Sequence, residues 1–136
     1  KAIKTISNLY KDKNIDIVVG AEARGFIFAA PVAFRLEAGF VPVRKPGKLP
    51  YQTIKEEFQL EYGVDAFEIH TDAIKENQNV LIVDDVLATG GTAQAIAKLV
   101  EKLKGNVVGI CFLIELTFLN GRDKLKNYNV ESLIKF

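Results

Sequence analysis

The segment from Val80 to Thr92, VLIVDDVLATGGT, constrains this chain more than any other. Val80 to Val83 is an unbroken apolar run of β-branched residues and Leu, the pattern of a parallel strand buried on both faces. Asp84 and Asp85 follow at the carboxyl end of that strand, where a buried carboxylate is costly unless something binds it. Ala88, Thr89, Gly90, Gly91 and Thr92 then offer successive backbone N–H groups, two hydroxyls and two residues without a Cβ. Consecutive amides in a turn form a concave anion site. The helix expected from Thr92 to Lys104 adds the partial positive charge of its N-terminus. Gly90 and Gly91 allow the backbone to approach a phosphate closely. Asp84 and Asp85 accept hydrogen bonds only, which suits the two hydroxyls of a ribose. The segment therefore reads as a site for a molecule with hydroxyls at one end and a phosphate at the other. No Gly-Lys-Ser/Thr follows, so it is not a P-loop, and it lacks the G-x-G-x-x-G dinucleotide spacing.

The flanking pattern supplies the frame. Residues 1–13 carry Ile3, Ile6, Leu9 and Tyr10 at helical spacing, and Ile15 to Val19 reads as a short strand ending at Gly20. Phe26 to Leu36 reads as a helix stopped by Gly39, and Phe40 to Val43 as a strand. Lys55 to Tyr62 and Phe67 to His70 are extended pieces, the first suited to a β-ribbon arm. Ala93, Ile96, Ala97, Val100 and Leu103 form one face of the helix after Thr92, Gly105 ends it, and Val107 to Leu113 is the next buried strand. Strands alternating with helices imply an α/β fold, a mostly parallel sheet flanked by helices, with right-handed crossovers. At 136 residues a single domain spanning 1–136 is expected. Ligands of such sheets bind at the carboxyl ends of the strands. Three polar clusters fall there: Gly20 to Gly25, Arg44 to Lys48, and Asp84 to Thr92.

Composition removes several classes of function. The formal net charge is +1, so a nucleic-acid partner is not expected. No apolar run reaches the roughly 20 residues of a membrane span. One cysteine allows no internal disulfide, and Cys111, in an apolar run, reads as core filler. A cytoplasmic protein is expected. His70 is the single histidine, and no His/Cys cluster points to zinc.

Several apolar residues, two acids, a short spacer and Thr-Gly-Gly-Thr resemble the motif with which type I phosphoribosyltransferases bind 5-phosphoribosyl 1-pyrophosphate (PRPP). The stretch GAEARGFIFAAPVA from Gly20, with Ala29 where the family commonly has glycine, is similar to the adenine phosphoribosyltransferases in particular. So are RKPGKLP from Arg44, Leu-Glu-Tyr-Gly at 60–63, Val64 to Ile74, and Ile114 to Leu125. Read alone, Arg24 fits a surface charge equally well, Arg44 to Lys48 fits a solvated basic turn, and Glu61 fits an exposed strand residue. The resemblance assigns them further roles. It implies that Ala88 to Thr92 hold the 5′-phosphate, that Asp84 and Asp85 contact the ribose, and that Arg24, Arg44, Lys45 and Lys48 meet pyrophosphate. It makes Glu61 the acid/base for the purine proton and Tyr62 part of a mobile lid. It implies conversion of adenine and PRPP to AMP and pyrophosphate, with Mg²⁺ held through PRPP and water, in a homodimer. Another purine phosphoribosyltransferase, or a PRPP-binding regulator, shares part of this pattern. The family carries further residues before the helix at Ala2 to Lys11, a hood over the purine, and the base-selecting contacts are expected there rather than in the residues at hand.

Overall fold

The computed structural model describes residues 1–60 and 62–136. The chain runs α1 (Ala2–Tyr10), β1 (Ile17–Ala21), α2 (Arg24–Arg35), β2 (Gly39–Val43), β3 (Thr53–Leu60), β4 (Gly63–His70), β5 (Asn79–Leu87), α3 (Gly91–Lys102), β6 (Asn106–Glu115) and β7 (Val130–Lys135). Two 3₁₀ turns, Thr117–Leu119 and Gly121–Leu125, join β6 to β7. Five strands form one sheet in the order β2-β1-β5-β6-β7, every neighbouring pair parallel. The expected α/β fold is present.

Alternate residues of a strand face opposite sides of a sheet, and here both sides are covered. Val18, Leu81, Val83 and Cys111 pack against Ile6 of α1 and Ala29 and Val32 of α2. Val19, Ile82, Ile110 and Phe112 pack against Ile96, Leu99 and Val100 of α3. Cys111 is buried and free, as core filler should be. β3 and β4 form the expected ribbon, antiparallel, from Thr53 opposite His70 to Leu60 opposite Gly63. It is rooted in the core by Phe58 and Phe67, whose rings lie 4.8 Å apart. Lys102 at the end of α3 holds the ribbon from outside through Glu56 at 2.7 Å.

Three local expectations are revised. β5 does not stop before Asp84 but continues to Leu87, because β6 extends to Glu115 and keeps pairing with it. Gly39 and Gly105 do not occupy the left-handed positions that end α2 and α3. Glu37 (φ 55°) and Lys104 (φ 65°) do. In each case paired bonds close the turn: Glu37 N–H to Phe34 O and Ala38 N–H to Ala33 O, Lys104 N–H to Glu101 O and Gly105 N–H to Val100 O. Gly105 is instead required for space, since a Cβ there would lie 2.9 Å from Val100 Cγ1. β7 carries a charge at Glu131 and at Lys135 and is half-exposed at the sheet edge, so it has no apolar run to announce it.

Candidate active site

β1 leads through α2 to β2 on one side of the sheet, and β5 leads through α3 to β6 on the other. Between the carboxyl ends of β1 and β5 the strand order reverses, which is where open parallel sheets hold ligands. A cleft of about 300 Å³ lies there, lined by Glu22, Arg24 and Gly25 from the first loop and Asp84, Asp85 and Thr92 from the second. Phe67 of the ribbon forms part of its wall. A larger hollow of about 370 Å³, bordered by Tyr10, Lys13 and Glu131, lies at the amino ends of β6 and β7 and includes none of the motif residues.

The paired acids sit on the floor of this cleft. Arg24 Nε lies 2.7 Å from Asp85 Oδ2. Asp84 Oδ1 accepts the Asp85 N–H at 2.9 Å, and Asp85 Oδ1 accepts the Val86 N–H at 2.9 Å. Burial pushes the Asp84 carboxyl up to about 7; the charge of Asp85 adds to the rise, against the Asp85 N–H bond. Gly25 makes this packing possible, because a Cβ there would stand 2.8 Å from Asp84 Oδ1.

The turn at Ala88 to Thr92 ends the cleft on one side. Gly90 takes φ 89° and serves as N-cap of α3, which among the described residues has no side-chain cap. The first-turn N–H donors are thus left for a ligand. The turn rests on the 3₁₀ segment behind it: a Cβ on Gly90 would collide with Gly121 O, and one on Gly121 would collide with Ala88 O. That segment is locked in turn. Arg122 donates to both oxygens of Glu115, through Nε at 3.1 and 2.9 Å, and to Val130 O at 3.0 Å. Ser132 Oγ completes the cluster by donating to Glu115 Oε1 at 2.5 Å. Arg122 foremost, then Ser132, holds the Glu115 carboxyl below its ordinary range.

The basic turn does not line the cleft but is tied to it through Glu22. Glu22 Oε1 accepts Arg44 Nε at 3.1 Å and the Lys45 N–H at 2.8 Å. The Lys45 N–H bond is the main reason the Glu22 carboxyl is lowered. Lys45 Nζ lies 2.8 Å from Asp65 Oδ2 on β4. Gly47 N–H donates to Glu68 Oε1 at 3.2 Å, and the backbones of Arg44 and Glu68 exchange hydrogen bonds. Among the described residues Lys48 forms no ion pair, though its charge helps lower Glu22.

The three clusters anticipated from sequence thus meet at one cleft, two of them lining it and the third bound to it through Glu22. Tyr62 is 95 % exposed at the ribbon tip and does not line it. Glu61 lies outside the described residues. Glu22, Asp65, Glu68, Gly121 and Arg122 were not singled out by sequence. Only Glu22 carried a usable signal, as an acid two residues before Arg24 inside the arginine loop.

Residues 1–134 match the family model described as the phosphoribosyl transferase domain. The adenine phosphoribosyltransferase of Clostridium perfringens is 61% identical over 135 residues, which are 99% of this chain and 78% of that protein. The crystal structure of adenine phosphoribosyltransferase from Thermoanaerobacter pseudethanolicus superposes with a TM-score of 0.96 at 57% identity, over 99% of this chain and 78% of the other. The Saccharomyces cerevisiae enzyme, complexed with adenine and an imino-altritol 1,6-bisphosphate, superposes with a TM-score of 0.88 at 48% identity, over 95% of this chain and 73% of the other.

Proposed function

The chain belongs to the adenine phosphoribosyltransferases, and we propose that it converts adenine and PRPP to AMP and pyrophosphate. One observation carries the reading at the level of the site: a single cleft lined by Ala88 and Thr92 of the amide turn, by Arg24 and by two carboxylates, with the basic turn joined to it through Glu22. The Saccharomyces cerevisiae relative, complexed with adenine and a 1,6-bisphosphate, supports the same substrate classes.

In this reading Ala88 to Thr92 receive the 5′-phosphate through backbone N–H groups and the hydroxyls of Thr89 and Thr92. Asp84 and Asp85 accept hydrogen bonds from the ribose hydroxyls. The bond from the anomeric carbon to pyrophosphate breaks, taking its electron pair with the leaving group, and a ring nitrogen of adenine forms the new bond. The ribose passes through an oxocarbenium-like transition state, whose positive charge the two carboxylates steady. Arg24, Arg44, Lys45 and Lys48 compensate the charge of pyrophosphate, which requires Arg24 to exchange Asp85 for phosphate oxygens. Glu61 takes the proton that the purine imidazole loses, and Tyr62 belongs to the lid above it.

Mg²⁺ fits the donor chemistry. Asp84 and Asp85 present hard oxygens at the cleft, and the ion prefers to keep water and bind substrate phosphate. They would hold it through the ribose oxygens and water, and when bound it neutralises charge on pyrophosphate. A homodimer belongs to the same proposal, supported by Ile27 and Phe34, two turns apart on α2 and 64% and 84% exposed. So do a single domain and a cytoplasmic location; no helix among the described residues is long and apolar enough to cross a membrane.

The test is direct. The protein, supplied with Mg²⁺, PRPP and adenine, is expected to form AMP; guanine and hypoxanthine are expected to give far less nucleotide. Absence of AMP would end the proposal. Glu61→Gln is expected to lower kcat about a hundredfold with PRPP binding intact; unchanged turnover removes the proton role.

A further inference from the structure

We propose that Lys124 is a further phosphate-binding residue, its ammonium completing the anion site that the backbone turn begins. The proposal rests on the reading of Ala88 to Thr92 as the 5′-phosphate turn. A phosphate monoester brings close to two negative charges at neutral pH. The turn itself supplies dipoles and hydroxyls but no full positive charge, because no lysine or arginine lies between Val80 and Thr92. The cations of the arginine loop and the basic turn are already engaged, Arg24 with Asp85, Arg44 with Glu22 and Lys45 with Asp65.

Lys124 stands where the missing charge belongs. Its Nζ is 3.8 Å from the point a Cβ on Gly91 would occupy. Gly91 is the first residue of α3, and Cα–Cβ directions in a helix tilt toward its N-terminus, so that point lies toward the open N–H donors. Gly91 places no side chain between the ammonium and the turn; the backbone O of Gln59, on the ribbon, is the other atom near that point, also at 3.8 Å. The backbone of Lys124 is fixed relative to the turn. Gln94 Nε2, in the second turn of α3, donates to Lys124 O at 3.2 Å. Leu125 is buried beside it, Gly121 backs the phosphate turn, and Arg122 is pinned to Glu115 and β7. Lys124 itself is exposed and forms no ion pair among the described residues. It is a charge held at the rim of an anion nest by a rigid segment, with a side chain long enough to reach in.

Titration calorimetry with ribose 5-phosphate and, separately, pyrophosphate tests this on the wild type, Lys124→Met and Lys124→Arg. Lys124→Met is expected to weaken ribose 5-phosphate binding roughly fivefold at low salt, an effect reduced for an exposed cation. The loss is expected to shrink at high salt, to be restored by Lys124→Arg, and to leave pyrophosphate binding unchanged. Equal ribose 5-phosphate affinity in Lys124→Met and wild type overturns the proposal. So does equal weakening toward both ligands, which marks a structural fault. A wild type that binds pyrophosphate but not ribose 5-phosphate refutes the phosphate-turn reading itself, and the proposal with it.

Discussion

At one end of the cleft the turn from Ala88 to Thr92 offers backbone N–H groups, with Gly121 packed behind it. On the side of the arginine loop Arg24 lines the cleft and Arg44 and Lys45 attach behind it through Glu22, each full charge already beside an acid: Asp85, Glu22 and Asp65. A backbone dipole cannot swing away to another partner, so the first end keeps its shape before any ligand arrives. The second end holds its cations in place with carboxylates, and an incoming polyanion must displace or outbid them. Anion affinity at the turn is therefore a matter of geometry, whereas at the basic end it is a competition between charges, sensitive to salt.

The largest expected effect comes from spoiling the geometry. Gly121→Val would drive a side chain into Ala88 O and Leu87, where a Cβ alone already comes within 2.8 Å of Leu87 Cδ1. Displacing the turn by about 1 Å is expected to cost roughly a hundredfold in kcat/KM for PRPP. Pyrophosphate binding, measured by calorimetry on the same variant, is expected to persist. Its loss would mean that the two ends are not independent.

Asp84, between the ends, gives a smaller effect with a defined pH window. Its carboxyl titrates near 7 in the folded chain against an ordinary 3.8, so across that interval the native state holds a proton that the unfolded chain has released. Stability attributable to this group therefore falls as pH rises from about 4 to about 7 and levels off above. Asp84→Asn removes that slope, and urea unfolding at the two ends of the window is expected to show the wild type losing on the order of 4 kcal/mol relative to the variant. Equal slopes would show that Asp84 is not the costly group. Glu22 and Glu115 act in the opposite sense, since their lowered carboxyls stabilise above the ordinary range and lose that contribution in acid.

The smallest effect probes the competition at the basic end. Asp65→Asn removes the acid beside Lys45, and pyrophosphate is expected to bind about twofold more tightly at low salt. Ribose 5-phosphate affinity should stay constant. Tighter binding of both ligands would make the acid a general electrostatic brake rather than a local competitor.

Much of this was legible in the chain. The run Val80 to Val83 announces a buried parallel strand, and the acids and glycines after it carry their chemistry in adjacent residues. The ribbon appeared as two extended pieces, and its pairing of Lys55 with Glu68 was set by the turn between them. The stops of α2 and α3 were misplaced onto Gly39 and Gly105 because glycine is the usual left-handed residue, while here Glu37 and Lys104 accept that conformation and Gly105 answers a packing constraint. β7 escaped notice because an edge strand half in solvent needs no apolar alternation.

By itself, then, the sequence determined the α/β layering, the amide turn and the pair of acids beside it, since periodicity and backbone preference are properties of neighbouring residues. Tertiary structure alone decided who meets whom: Glu22 with Arg44, Arg122 with Glu115 and Ser132, Gly121 beneath Gly90, and Lys124 at the rim of the turn. The physical reason is range. An ion pair or a backbone contact depends on separations of a few ångströms, and those are set by how distant segments pack, not by their order along the chain.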